Sequence, residues 1–167
     1  GGVLFGASRD GYVTNPVTNE EYNNRNAWGG RFQAAWDPAS NFNVDFSVDY
    51  AEEDSALTMG QAVSSLTTIV GVPIPAGAVP SPLPEFNFTA RATPGLPNSS
   101  EMTHWGSSLR ASWELSDNLT LRSISTYRNL NYTDYVDIDA TFLELGDVLV
   151  DVDQDQVSQE LQAIWEG

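Results

Sequence analysis

WGGRFQAAWDPASNFNVDFSVDY, residues 28–50, and WGSSLRASWELSDNLTLRSISTY, residues 105–127, follow one plan, 77 positions apart. Each is an alternating run, a short polar turn and a second alternating run. In the first, Trp28, Gly30, Phe32, Ala34 and Trp36 share one parity, and Ala27, Gly29, Arg31, Gln33, Ala35 and Asp37 share the other. After a turn over Asp37 to Asn41, Phe42, Val44, Phe46, Val48 and Tyr50 alternate with Asn43, Asp45, Ser47 and Asp49. A period of two is the signature of a strand with one apolar face. A helix would scatter those five apolar residues around its circumference. In the second stretch, Trp105, Ser107, Leu109, Ala111 and Trp113 oppose Gly106, Ser108, Arg110, Ser112 and Glu114. Leu115 to Asn118 turns the chain. Leu119, Leu121, Ser123, Ser125 and Tyr127 then keep the tryptophan parity, while Thr120, Arg122, Thr126 and Arg128 take the polar one, interrupted by Ile124.

Two further strands flank these hairpins. Gly1 to Ser8 alternates weakly, with Val3, Phe5 and Ala7 on one face. Gln156 to Trp165 sets Val157, Leu161, Ala163 and Trp165 against Ser158, Glu160 and Gln162. The connections are of two kinds. Those near Pro38 and Asp117 are tight, and proline suits a turn but not a central ladder. The other three are long: polar Arg9 to Asn26, proline-rich Ala51 to Thr103, and acidic Asp137 to Asp155. A loop of more than about 15 residues is uncommon in a compact domain and usually functional or disordered. Helix-like spacing of Leu57, Val63, Leu66 and Ile69 predicts a short helix over residues 56–70 within the middle loop. The expected fold is therefore all-β, with about six antiparallel strands.

Composition narrows the function. The 167 residues carry a formal charge of −16, and all seven basic residues are arginine. So acidic a chain is a poor partner for nucleic acid, whose phosphates require a basic surface. The absence of cysteine rules out a disulfide framework and any thiolate metal site. No apolar run approaches the ~20 residues of a membrane helix. Asn-x-Ser/Thr matches at Asn87, Asn98, Asn118 and Asn131 are short enough to arise by chance. The chain starts without Met and stops within an alternating run, which reads as a segment of something longer.

Strands whose apolar face begins and ends on an aromatic residue suit a bilayer. The eight steps from Trp28 to Trp36 cover about 26 Å, or roughly 20 Å along the axis at a ~40° tilt. The apolar band of outer-membrane barrels is ~25 Å tall, and indole and phenol rings favour its two edges. Trp28, Trp36, Tyr50, Trp105, Trp113, Tyr127 and Trp165 are the expected lipid-facing girdle. Arg31, Asp45, Asp49, Arg110, Arg122 and Glu160 are the expected lumen-facing polar residues. Short turns on one side and long loops on the other match the same architecture. Six strands cannot close a barrel of this kind by themselves, because every ladder must be paired in lipid. The alternative is a soluble sugar-binding β-sandwich with tryptophan platforms.

The residues also resemble a known family. Arg9-Asp10-Gly11-Tyr12 enters a loop ending Glu21-Tyr22-Asn23-Asn24-Arg25-Asn26. Trp-Gly…Ala-Trp-Asp-Pro follows over residues 28–38, then Asp117-Asn118-Leu119-Thr120-Leu121 and Ser158-Gln159-Glu160-Leu161-Gln162. In this order they resemble part of the barrel of a TonB-dependent outer-membrane receptor. The resemblance implies a 22-stranded barrel in the outer membrane of a Gram-negative bacterium, closed by an N-terminal plug domain absent from these residues. It implies an active importer rather than an enzyme, with residues 51–104 as a long extracellular loop. The TonB–ExbB–ExbD complex would supply energy through an N-terminal region, and lipid and lipopolysaccharide would surround the wall. Cargo in the family is typically a ferric siderophore, with haem, cobalamin and glycans as others; no cofactor is implied.

Other chemistry has weaker support. His104 is the only histidine, and no nucleophile-elbow motif accompanies it. Asp147, Asp151, Asp153 and Asp155 invite a calcium reading, but their spacing lacks the glycine and closing glutamate of an EF-hand. A solvated acidic loop, bridged by divalent ions to lipopolysaccharide, is the simpler expectation. Lumen arginines could contact an anionic ferric complex or pair with lumen aspartates. Loop tyrosines and tryptophans could stack on sugars.

Overall fold

The computed structural model describes residues 1–61, 68–69, 71–73 and 87–167. The strands are β1 (Gly2–Arg9), β2 (Val13–Thr14), β3 (Glu21–Tyr22), β4 (Arg25–Ala39), β5 (Phe42–Ser55), β6 (Thr68–Ile69), β7 (Val72–Pro73), β8 (Ser100–Ser116), β9 (Leu119–Val136) and β10 (Val148–Trp165). Six of them form one antiparallel sheet in the order β1-β4-β5-β8-β9-β10. Each long strand lies beside the long strand before it, an up-and-down meander. The pairs β2-β3 and β6-β7 are small hairpins within the long loops. No helix occurs among the described residues.

The repeat in the sequence is a repeat in register. Trp28 pairs with Glu52 and Trp36 with Val44; 77 positions later Trp105 pairs with Asn129 and Trp113 with Leu121. Both hairpins carry a register shift just before the turn, between Trp36 and Ala39 and between Glu114 and Ser116. In the first hairpin the shift falls at Pro38, which has no N–H to give to the ladder. The expected turns over residues 37–41 and 115–118 accordingly shrink to Ser40-Asn41 and Asp117-Asn118.

Each turn is tied to the strand that follows its hairpin. The Glu114 amide donates to the Asn41 carbonyl at 2.8 Å, and Asn41 Nδ2 donates to the Glu114 carbonyl at 3.2 Å. Asn118 repeats the device on Glu166, at 3.0 and 2.6 Å.

The strands run further toward the loops than apolar alternation indicates. β8, β9 and β10 have 17, 18 and 18 residues. Glu52-Glu53-Asp54 continues β5 against Glu101, Met102 and Thr103 of β8 because backbone pairing requires no apolar face. The middle connection is thus residues 56–99 rather than 51–103 or 51–104. The acidic loop shortens to 137–147, with Asp151, Asp153 and Asp155 inside β10. The helix expected over 56–70 is not formed where it is described: residues 56–61 are irregular and Thr68–Ile69 is extended, while 62–67 and 70 lie outside the described residues.

In β1, Val3 and Phe5 pair with Arg31 and Gly29, so the parity that alternates lies on the polar side of the sheet. Leu4, on the other parity, shares the tryptophan face. The adjacent glycines permit this: a Cβ on Gly29 would sit 2.6 Å from the Phe5 ring, and one on Gly30 would sit 2.5 Å from Leu4 Cδ2. Each large side chain fills the space above a glycine.

Apart from Ala27 of β4, the buried apolar side chains among the described residues gather at the loop end, not on the sheet. Val13, Tyr22, Leu57, Met59 and Ala90 form the core cluster, with Ala92, Leu96, Tyr135 and Ala140 packed against it. On the sheet, Trp36 is 63% exposed and Leu161 78%. A β-sandwich would bury such residues against a second sheet.

Candidate functional site

Cross-strand pairing fixes which side chains share a face, because directly opposed residues point the same way. All seven girdle aromatics lie on one face. They make two rows. Trp28, Tyr50, Trp105 and Tyr127 form the row nearer the long loops; Tyr50 and Trp105 are direct partners. The Trp28 and Tyr50 rings lie 5.1 Å apart and those of Trp105 and Tyr127 4.7 Å apart, both tilted. Trp36, Trp113 and Trp165 form the row nearer the turns, with Phe42 opposite Trp113.

Phe32, Phe46, Leu109 and Leu161, with Leu121 opposite Trp113 and Val157 opposite Tyr127, fill the band, all exposed. Three polar residues of this band, Ser123, Ser125 and Gln159, bond to one another. Ser125 Oγ donates to Gln159 Oε1 at 2.5 Å, and Gln159 Nε2 donates to Ser123 Oγ at 3.0 Å.

The tyrosines give the face a direction. Tyr50 donates its hydroxyl to Glu52 Oε2 at 2.8 Å and Tyr127 donates to Asp155 Oδ1 at 2.5 Å. Both acceptors lie toward the long loops from the aromatic row. The rings sit at the edge of the apolar band with their hydroxyls turned away from it. Beyond this row the face carries Glu52, Asp54, Glu101, Asp151, Asp153 and Asp155 and no arginine.

The opposite face holds Arg31, Asp45, Asp49, Arg110, Arg122 and Glu160, all six expected polar residues. One ion pair forms among strands β5 and β9, and it uses a residue outside that set: Arg128 Nη1 lies 2.6 Å from Asp49 Oδ2. Arg122 donates to Ser112 Oγ at 3.3 Å and to Gln162 Oε1 at 3.4 Å. With the Gln33 amide turned to accept, Arg31 Nε and Nη2 lie 3.2 Å from its oxygen. Ile124, which interrupts the polar alternation of β9 on this face, lies in register between Arg110 and Glu160. His104 is also here, opposite Ala51 and Leu130, rather than on the tryptophan face. No hydroxyl or carboxylate bonds to it among the described residues.

The loop cap is built on asparagine. Asn23, at a φ of 62°, donates Nδ2 to the Met59 carbonyl at 2.9 Å and accepts the Met59 amide at 2.6 Å. Asn98 accepts the Leu57 amide and donates to the Glu21 carbonyl, both at 3.0 Å. Each amide side chain pairs backbone groups that have no ladder partner. Asn15 donates to the buried Tyr22 hydroxyl at 3.1 Å. Burial raises the Tyr22 phenol above its ordinary value, with the Asn15 bond opposing.

A second junction joins Thr93 to Asp137: the Thr93 amide donates to Asp137 Oδ2 at 2.9 Å, and the Ala140 amide to Oδ1 at 2.8 Å. Burial raises the Asp137 carboxyl; these amides oppose the rise, and Asp139 and Asp147 add to it. The sequence marked Glu21-Tyr22-Asn23-Asn24 only as a recurrent texture and did not single out Thr93 or Asp137. Asp147 accepts from Thr93 Oγ1 at 3.2 Å, whereas Asp151, Asp153 and Asp155 alternate along β10. Among the described residues no three acidic or histidine side chains converge to hold a metal.

Comparison with protein-family models, with curated proteins and with solved structures finds no match to this chain in any of the three.

Proposed function

We propose that this sheet is part of the wall of a TonB-dependent outer-membrane receptor, a transporter that imports ferric siderophore complexes. The observation that carries the reading is the exposed apolar face, bounded by two rows of aromatic residues whose tyrosine hydroxyls turn outward. A contiguous apolar patch of this extent is rare on a soluble monomer. In a bilayer the same face meets acyl chains, with indole and phenol groups at the headgroup level. The free edges of β1 and β10 pair with further strands, since no ladder can stay open in lipid. The short turns face the periplasm, and the interlocked long loops form the outer surface that first meets cargo. The acidic positions beyond the upper aromatic row then lie at the level of lipopolysaccharide phosphates. The receptor assignment, the plug and the coupling to TonB–ExbB–ExbD rest on the family resemblance.

The test is depth-dependent quenching of tryptophan fluorescence by brominated acyl chains after reconstitution. Quenching of Trp28, Trp36, Trp105 and Trp113, examined in single-tryptophan variants, is the expected result. A monodisperse product in plain buffer whose tryptophans ignore brominated lipid would refute the membrane reading and favour the sugar-binding sandwich. Uptake of radiolabelled ferric siderophore by cells carrying the full-length gene tests the cargo; glycan or cobalamin uptake instead would redirect it.

A further inference from the structure

The chain as a whole is strongly acidic, yet its polar sheet face is not. Between the levels of the two aromatic rows, that face carries Arg31, Arg110, Arg122 and Arg128 against Asp45, Asp49 and Glu160. Seven arginines against 23 carboxylates in the whole sequence make this local excess of positive charge unusual. Exclusion of charge from lipid explains why both signs avoid the other face, but not why arginine outnumbers carboxylate here. Pairing does not use the excess up. Arg128 is joined to Asp49, whereas Arg31, Arg110 and Arg122 have no carboxylate within 4.0 Å among the described residues.

Two of these unpaired guanidiniums meet at one place. Arg31 and Arg110 line a depression of about 520 Å³ on the polar face, with Gln33, Asp45, Ser47 and Ser108. Ser47 and Ser108 are direct cross-strand partners, and Asp45 is the partner of Arg110. Neither serine hydroxyl bonds to another protein group among the described residues. The depression thus presents the Arg110 guanidinium, the Arg31 guanidinium with its Nε and Nη2 turned to the Gln33 oxygen, and two spare hydroxyl donors around a single carboxylate. Its volume is within the range of small-molecule sites.

We infer that this depression is a binding site for oxyanion groups, carboxylate or phosphate, on the solute that passes along the polar face. Guanidinium recognises either group through paired N–H donors, and the serine hydroxyls supply further ones. Asp45 opposes the bound anion and so limits affinity, which allows release: a solute in transit must leave as well as enter. The inference rests on the transport reading only for its physiological meaning, since the site is defined by the sheet itself.

Phenylglyoxal modification of the full chain in detergent micelles, followed arginine by arginine by peptide mass spectrometry, tests it. Inorganic phosphate and malonate, each compared with chloride at equal ionic strength, should slow modification of Arg31 and Arg110 at least fivefold and saturably. Arg9 and Arg25 should not respond. The phosphate and malonate arms distinguish the two oxyanion classes, and protection by either one supports the site. Asp45→Asn, which removes the opposing charge without disturbing a hydrogen bond, should lower the half-protecting concentration at least threefold. Arg110→Gln should remove protection at Arg31. Uniform or absent protection, or an Asp45→Asn response equal to the parent's, would overturn the site. Brominated-lipid quenching is measured separately, so either result can fail alone.

Discussion

Arg128 on β9 reaches across β8 to Asp49 on β5, closing to 2.6 Å between Nη1 and Oδ2, because the residue beneath it is Gly106. A Cβ at Gly106 would lie 2.7 Å from Arg128 Cδ and 2.8 Å from Nε and Nη1. Gly106 is therefore a gap through which one strand's cation reaches a carboxylate two strands away. The Arg128 side chain is 54% exposed, so the pair contributes modestly, about 1 kcal/mol or less. Gly106→Ala and Arg128→Gln should each lower stability by about that amount, and the double variant by no more than either alone. Urea unfolding in micelles gives the coupling; additive losses would show that the glycine serves something else.

The two faces should differ sharply in their tolerance of charge. Leu109→Arg on the tryptophan face should cost about 2–4 kcal/mol in a bilayer, the range for arginine at mid-depth. Ser108→Arg, one residue away on the polar face, should cost far less. Equilibrium folding into phospholipid vesicles makes the comparison. Equal costs would mean that both faces see the same solvent.

Asn41→Ala and Asn118→Ala each remove a side-chain bond that ties a tight turn to the neighbouring strand. Each loss should be about 0.5–1.5 kcal/mol, and the two should add because the turns share no partner. Unfolding midpoints of the single and double variants give both quantities.

Asn23→Ala should be the most damaging change in the loop cap. It strands the Met59 amide and carbonyl in a buried setting and places alanine at a φ of 62°. A loss of about 2–4 kcal/mol of loop stability is expected. Limited proteolysis should then cut near residues 56–61 while the six-stranded sheet stays protected.

The Thr93–Asp137 junction should tighten on acidification. The folded chain holds the Asp137 proton more firmly than the unfolded chain, so this group's contribution is greatest below the unfolded value. It declines as pH rises through the raised folded value. Hydrogen-exchange protection of the Thr93 amide, corrected for intrinsic rate, should therefore increase as the pH falls through that raised value toward the ordinary carboxyl range. Asp139→Asn should flatten the dependence by removing one of the neighbouring charges that raise the carboxyl. Protection that falls with acid would contradict the assignment.

Six strands, two faces and two tight turns were legible in the sequence because a side-chain period of two is a local property. Trp28 and Trp36 declare their common face without reference to any partner. What escaped was everything carried by backbone pairing or by contacts distant in sequence. The continuation of β5 through Glu52-Glu53-Asp54 leaves no apolar trace, and Asp151, Asp153 and Asp155 read as loop when they belong to β10. The side of the sheet taken by Phe5 depends on its register with Gly29, which no local pattern encodes. Arg128 finding Asp49, the amide of Asn23 serving Met59, and Arg31 meeting Arg110 at one depression were likewise decided only in three dimensions. Alternation determines which way a side chain points; register and loop closure, which sum many weak contacts over long separations, determine what it meets.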